Sequence, residues 1–162
     1  MELDPRIHFV VVTGIVAKKD TDGTVRYLVA KRAAHEKAFP NRWTVPGGKV
    51  VKSEYGTLPY KTEYPQWYNV VEWVLRKEVR EEVNVEIEKP EYLTDLIFVR
   101  PDGYPVVTLS YWAMYKSGNP KAGKDLTDVA WVTAAEAKQY DMIEGIPEEI
   151  EEVDHIIRSR EK

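Results

Sequence analysis

The apolar residues fall into runs of two different periods. Ile7 to Lys18 is dense in Val and Ile and reads as a buried strand. Thr21, Asp22 and Gly23 supply a turn, and Val25 to Arg32 resumes as a second strand, which predicts a hairpin. His35 to Arg42 is polar, contains one proline and reads as a loop. Thr44 to Val50 has strand character broken by Pro46-Gly47-Gly48, where the backbone must turn sharply. Tyr55 to Tyr68 is rich in aromatics and has no clean period. Val70, Val71, Val74, Leu75 and Val79 then recur at helical spacing and predict a helix running to Asn84.

The second half repeats the alternation. Tyr92 to Val99 and Val106 to Tyr115 read as strands joined by a Pro101-Asp102-Gly103 turn. Lys116 to Asp128 reads as a loop rich in Gly, Pro and Lys, and Val129 to Val132 as a short strand. Thr133 with Glu136 makes a capping box for a short helix, Ala134 to Tyr140. A last helix starts near Pro147, with Glu148 and Glu149 in its first turn and Arg158 and Arg160 near its end, a polarity that suits the helix dipole. Ile146, Ile150, Val153 and Ile157 mark its buried stripe. With no repeat, low-complexity tract or linker, the 162 residues predict one domain.

Composition narrows the function. Hydrophobic residues at 43% and charged residues at 31% describe a globular chain. A net charge of -4 has the wrong sign for binding a nucleic-acid backbone, so no DNA partner is expected. The absence of cysteine excludes disulfides and thiolate chemistry and fits a cytoplasmic location. Thr13 and Gly14 interrupt the first apolar run, which is too short for a membrane span, so no membrane binding is expected.

The chemistry concentrates in Lys77 to Val85, KEVREEVNV. On a helix Glu78, Glu81 and Glu82 fall within an arc of about 100°, where three carboxylates repel one another. Oxygen ligands gathered in this way suit magnesium or manganese. The plain alternative is a solvated acidic face balanced by Arg76, Lys77 and Arg80, and for an isolated ExxEE it would be the commoner case. Upstream, however, Gly47-Gly48 is followed by Glu54, six residues past the second glycine.

Together these residues resemble the Nudix box, G-x5-E-x7-R-E-U-x-E-E-x-G-U, where U is bulky and aliphatic. Gly48 and Glu54 match its first half; Glu78, Val79, Glu81, Glu82 and Val85 match its second. The LVAKR and WTVPGG runs before the box, and WVTAAEA near the end, are also similar to that family. Three departures stand out. The spacer Tyr55 to Arg76 has 22 residues where the family usually has seven, Lys77 replaces an Arg, and Asn84 replaces a Gly. Asn is the next-best residue for a left-handed helix end. Lys keeps the charge but loses the planar fork that orients a carboxylate.

The resemblance implies an α+β fold, a single α/β/α sandwich with a mixed sheet, and a magnesium- or manganese-dependent attack of water on a diphosphate linkage. It implies metal ligation by Glu78, Glu81, Glu82 and a backbone carbonyl in the Gly47-Gly48 region, with Glu54 in an outer supporting position. Glu78 or Glu82 would act as base, with Lys77 in the orienting role. Lys31 and Arg32 are candidate phosphate contacts, or simply leave a strand into solvent. Trp43 is a candidate substrate contact beside the glycine turn, or a core anchor. Asp125 and Asp128 are either loop acids or turn residues, and the aromatics of the spacer either cover a base or pack the loop. His8, His35 and His155 show no ligand spacing. The implied partner is a small nucleotide: a nucleoside triphosphate first, then a nucleotide sugar or dinucleoside polyphosphate. A homodimer is left open, as is a Nudix-like binding module that has lost catalysis.

Overall fold

Runs of Val and Ile pair around a central strand in the computed structural model, which describes residues 2–162. Strand β1 (Phe9–Lys19) pairs antiparallel with β2 (Val25–Arg32) through the expected hairpin, where Gly23 takes a φ of 87°. Two short strands, β3 (Trp43–Thr44) and β4 (Gly47–Lys49), lie on β2 and β1 respectively. The Pro46-Gly47-Gly48 break thus splits one expected strand between two neighbours. After β4 come a short helix, α1 (Lys52–Tyr55), and the long helix α2 (Val70–Val83). A two-residue strand, β5 (Glu86–Ile87), and the hairpin β6 (Glu91–Val99) and β7 (Pro105–Ser117) follow. The chain then runs through β8 (Leu126–Val132), α3 (Ala134–Ala137) and α4 (Ile146–Arg160).

Strand β7 pairs in parallel with β1 and antiparallel with β5 and β6, while β8 pairs antiparallel with β2. The result is the mixed sheet that was expected, with one helical layer on each face. On one face Val74, Leu75, Val79 and Val83 of α2 bury against Val12, Val16, Leu28 and Ala30. Each such side chain contributes about 1.5–3 kcal/mol of transfer free energy. The helix approaches so closely that a Cβ on Gly14 would stand 2.7 Å from Leu75 Cδ1. On the other face the predicted stripe of α4 packs on Ile15, Ala17, Tyr27, Val29 and Trp112. The buried Tyr27 hydroxyl there donates to Asp154 at 2.7 Å.

Two expectations are corrected. Strand β8 begins at Leu126, inside the expected loop, because Leu126 packs on the α2 face and pairs with Arg32 beyond a bulge. Helix α3 ends at Ala137 rather than Tyr140. Its capping box forms as expected, but the backbone then tightens into i→i−3 bonds, and the Tyr140 ring is held edge-on against Trp43 at 4.9 Å. Helix α1 and strand β5 are too short to leave a periodic signal. No helix among the described residues is long and apolar enough to cross a membrane.

Candidate active site

Pairing of β4 with β1 sets Gly47 and Gly48 opposite Thr13 and Val12, under the side chains of α2. A Cβ on Gly48 would lie 2.3 Å from the carboxyl carbon of Glu78 and 2.6 and 2.7 Å from its oxygens. A side chain here would displace the Glu78 carboxylate, which fills the space that glycine leaves. At Gly47 a Cβ would meet the Val12 carbonyl at 2.5 Å. The diglycine is therefore a cradle into which α2 lowers its acids.

Lys77 is the centre of the charge pattern. Its ammonium lies 3.1 Å from Glu78, 3.2 Å from Glu81 and 3.2 Å from Glu54. The side chain is only 17% exposed and that of Glu78 only 14%. Burial pulls the ammonium pKa down, but the contacts with Glu78, Glu54 and Glu81 more than reverse this and leave it raised. Because Glu54 comes from α1 and Lys77 from α2, this ion pair ties the two halves of the motif across the long spacer.

The carboxylates remain undercompensated. Glu78 is pushed up by burial, with Lys77 opposing and Glu81 and Glu54 adding to the rise. Glu82 is pushed up to about 8, first by burial and then by the charge of Glu78, while the Gly47 backbone and Arg32 hold it down. Glu54 Oε2 is buried and, although 3.2 Å from the ammonium, is not aimed to accept a hydrogen bond from any group. The arginines that could have balanced an ordinary acidic face turn elsewhere. Arg76 bonds Glu72 and the Ile87 carbonyl, and Arg80 reaches Glu86 at 3.7 Å. Three carboxylates thus share one ammonium, one of them with an orphaned buried oxygen, and Glu82 beside them feels only the more distant charge of Arg32. Hard oxygen donors in negative excess are what a magnesium-sized cation requires, so the donor chemistry suits one, although no three of these carboxylates bring ligand atoms within 4.8 Å of one another while Lys77 stands between them.

The C-terminal end of α2 is fixed by the loop before β8. Asn84 takes a φ of 61° and donates its backbone N–H to Arg80 and its side-chain amide to Asn119. The N–H groups of Gly123 and Lys121 satisfy the carbonyls of Glu82 and Val83. A Cβ on Gly123 would stand 2.1 Å from the Glu81 carbonyl, so the loop can close only over glycine.

The other candidates separate. Arg32 is close enough to act on Glu82, though its guanidinium also donates to Ala38 and Glu36. Lys31, one residue away and so directed to the opposite face, is in register with Trp43 and Asp128. Trp43 belongs to the core under α4, on the sheet face opposite α2. Asp128 accepts from the neighbouring Val129 N–H. Asp125, with a φ of 66°, instead meets His35 at 2.9 Å, and these two with Glu36 bring three ligand atoms within 4.8 Å of one another. Along the chain His35 shows no ligand spacing. Its partner lies 90 residues away, and no local signal joins them.

No family model matches the chain, and no curated protein matches it in sequence. Solved structures do match. The Nudix domain of NrtR from Shewanella oneidensis, crystallised with ADP ribose, superposes with a TM-score of 0.72 at 19% identity, covering 96% of this chain and 94% of that one. A MutT protein from Methanosarcina mazei Go1 gives 0.67 at 16% identity, over 99% and 100% of the two chains. An Ap4A hydrolase from C. elegans gives 0.66 at 13% identity, over 93% and 98%. At such identities the likeness is one of fold, and this chain has the Nudix fold.

Proposed function

We propose that the chain is a Nudix-type hydrolase that cleaves the diphosphate linkage of a nucleoside diphosphate derivative. The observation that carries this reading is the seating of Glu78 and Glu82, half-buried and short of positive charge, against the Gly47-Gly48 turn. A purely structural acidic face would leave its carboxylates in water.

Glu78, Glu81, Glu82 and the Gly47-Gly48 backbone would hold the divalent cation, magnesium or manganese. When bound, it would polarise the diphosphate and acidify a coordinated water. The chain's own groups supply the rest. Glu82, raised toward neutrality, and Glu78 beside it are the candidates to take the proton from the attacking water. Lys77 fixes the rotamers of Glu78 and Glu81 and couples them to Glu54. Arg32, beside Glu82, is placed to meet a phosphate oxygen. Nucleoside triphosphates are the leading substrate class. ADP ribose, held by the NrtR domain, and dinucleoside polyphosphates are the next two.

The test is release of phosphorylated products from these three classes with magnesium, beside Glu82→Gln. Turnover of one class that is lost in the variant supports the hydrolase and selects its substrate. A folded protein that turns over none of them, yet still binds nucleotide, would make the chain a binding module.

A further inference from the structure

The spacer between Glu54 and α2 is an organised element. No residue from Val51 to Asn69 joins either core, so the fold does not need it for burial. It packs instead on itself around Trp67, whose indole N–H donates to the Leu58 carbonyl at 2.8 Å. The rings of Tyr55 and Tyr60 meet Trp67 edge-on at 5.3 and 5.6 Å. A compact surface loop packed by its own side chains is a frequent carrier of function.

Beside that hub lies a cleft of ≈ 370 Å³ lined by Tyr60, Lys61, Thr62, Gln66, Trp67 and Tyr68. Its size sits at the low end of small-ligand pockets, room for one ring system rather than a whole dinucleotide. Its chemistry is mixed: aromatic rings and the apolar Leu58 and Pro59, with one ammonium, one amide and three hydroxyls. Tyr68 is 86% exposed and Tyr64, four residues before it in sequence, 75%, both large aromatic surfaces open to solvent. Trp67 is pinned on two sides, so a flat ring arriving from solvent would meet a pre-ordered platform and lose little to rearrangement. The loop is also tied to the carboxylates. Tyr55, which buttresses Trp67, directly follows Glu54, which pairs with Lys77.

We infer that this cleft is the base-recognition subsite: the nucleobase stacks on the Tyr60–Trp67–Tyr68 surface while the phosphates reach toward the glutamates. Lys61 favours the anionic side of the same ligand, and Gln66 offers both a donor and an acceptor to the base edge. Specificity would then reside in the segment that sets this chain apart from the ordinary motif. The inference rests on the hydrolase reading for the direction in which the ligand lies, but its test needs no turnover.

The test titrates AMP, GMP and CMP, and ribose 5-phosphate as a baseless control, into the full chain in EDTA while the indole N–H resonances are followed by NMR. Trp67→Phe assigns the Trp67 signal. The nucleotides should move that signal and ribose 5-phosphate should not. Tyr68→Ala, a change at a side chain that touches little, should weaken nucleotide binding roughly tenfold, the ordinary worth of one stacked base, with the melting temperature unchanged. Nucleotides that bind equally well to Tyr68→Ala, that shift only resonances outside the loop, or that do not bind at all would overturn the subsite. Failure of the hydrolase reading would show separately, as silence in the turnover assay.

Discussion

Replacing Glu82 by Gln should stabilise the metal-free protein at alkaline pH and abolish its activity with the same stroke. Glu82 titrates near 8 in the fold against an ordinary 4.5, raised first by burial and then by the charge of Glu78. Between those values the folded carboxyl keeps a proton that the unfolded chain has already lost. The folded state binds the extra proton, so stability falls as pH rises from 4.5 through about 8, and the penalty is complete above that. The separation sets an upper limit of about 5 kcal/mol. Glu78 and Glu82 titrate as a coupled pair, so a single neutral replacement should recover about half of it, roughly 2–3 kcal/mol. For a chain of this size that corresponds to about 5–10 °C in melting temperature.

Glutamine suits the place. Its amide can donate to Glu78 while its carbonyl accepts from the Gly47 backbone, so the change removes charge with little loss of hydrogen bonding. The assay is differential scanning calorimetry in EDTA from pH 5 to pH 9 on both proteins. The two should melt together near pH 5 and diverge with rising pH, the variant higher. Parallel curves, or a variant that melts lower at pH 9, would refute the claim that Glu82 is held charged against its surroundings.

Other consequences are quickly checked. Magnesium at about a hundred times its dissociation constant should add about 2.7 kcal/mol to the wild type at pH 8, read as a rise in melting temperature, and Glu82→Gln should lose most of that rise. Gly48→Ala forces the Glu78 carboxylate out of a space now only 2.3 Å from the new methyl. It should lower product release at least tenfold in the turnover assay while the far-ultraviolet circular dichroism is kept. Gly123→Ala meets the Glu81 carbonyl at 2.1 Å, so it should loosen the loop from α2 and raise hydrogen exchange at the N–H groups of Lys121 and Gly123.

Much of this architecture is legible in the sequence because it is local. Valine runs announce β1, β2 and β7, and the Val74, Leu75 and Val79 spacing announces α2. The Thr133–Glu136 capping box and the Pro147 start of α4 are written within four residues. The carboxylate cluster is legible for the same reason, since Glu78, Glu81 and Glu82 share a helix face whatever the tertiary fold. What depends on distant pairing is not. Leu126 looks like loop until β2 is beside it, and α3 looks like a longer helix until Trp43 takes Tyr140. Trp43 and Lys31 neighbour the right residues in sequence, yet the alternation of a strand sends them to the other face from Arg32 and the acids. Whether Lys77 could serve in place of Arg was equally a question of reach, and the structure shows that it touches three carboxylates.

That reach also explains how the long spacer is tolerated. Lengthening a closed loop from about 7 to about 22 residues costs only about 1 kcal/mol of closure entropy. One well-placed, partly buried ion pair between its ends can offset this. Lys77 to Glu54 is that pair, and the same ammonium screens Glu78 from Glu81. Lys77→Ala removes the one cation that, among the described residues, forms ion pairs with Glu54, Glu78 and Glu81, and leaves the buried Glu54 oxygen without even an ion-pair partner. The loss should be about 1–3 kcal/mol, below the full cost of an uncompensated buried charge because Glu81 is open to water. Magnesium should then raise the melting temperature of Lys77→Ala more than that of the wild type, since the incoming cation replaces missing charge. Lys77→Arg keeps the charge and adds a planar fork, so it should melt like the wild type. If Lys77→Ala melts with the wild type in EDTA, the ammonium contributes nothing to closing the spacer, and the hub around Trp67 must hold the two halves together without it.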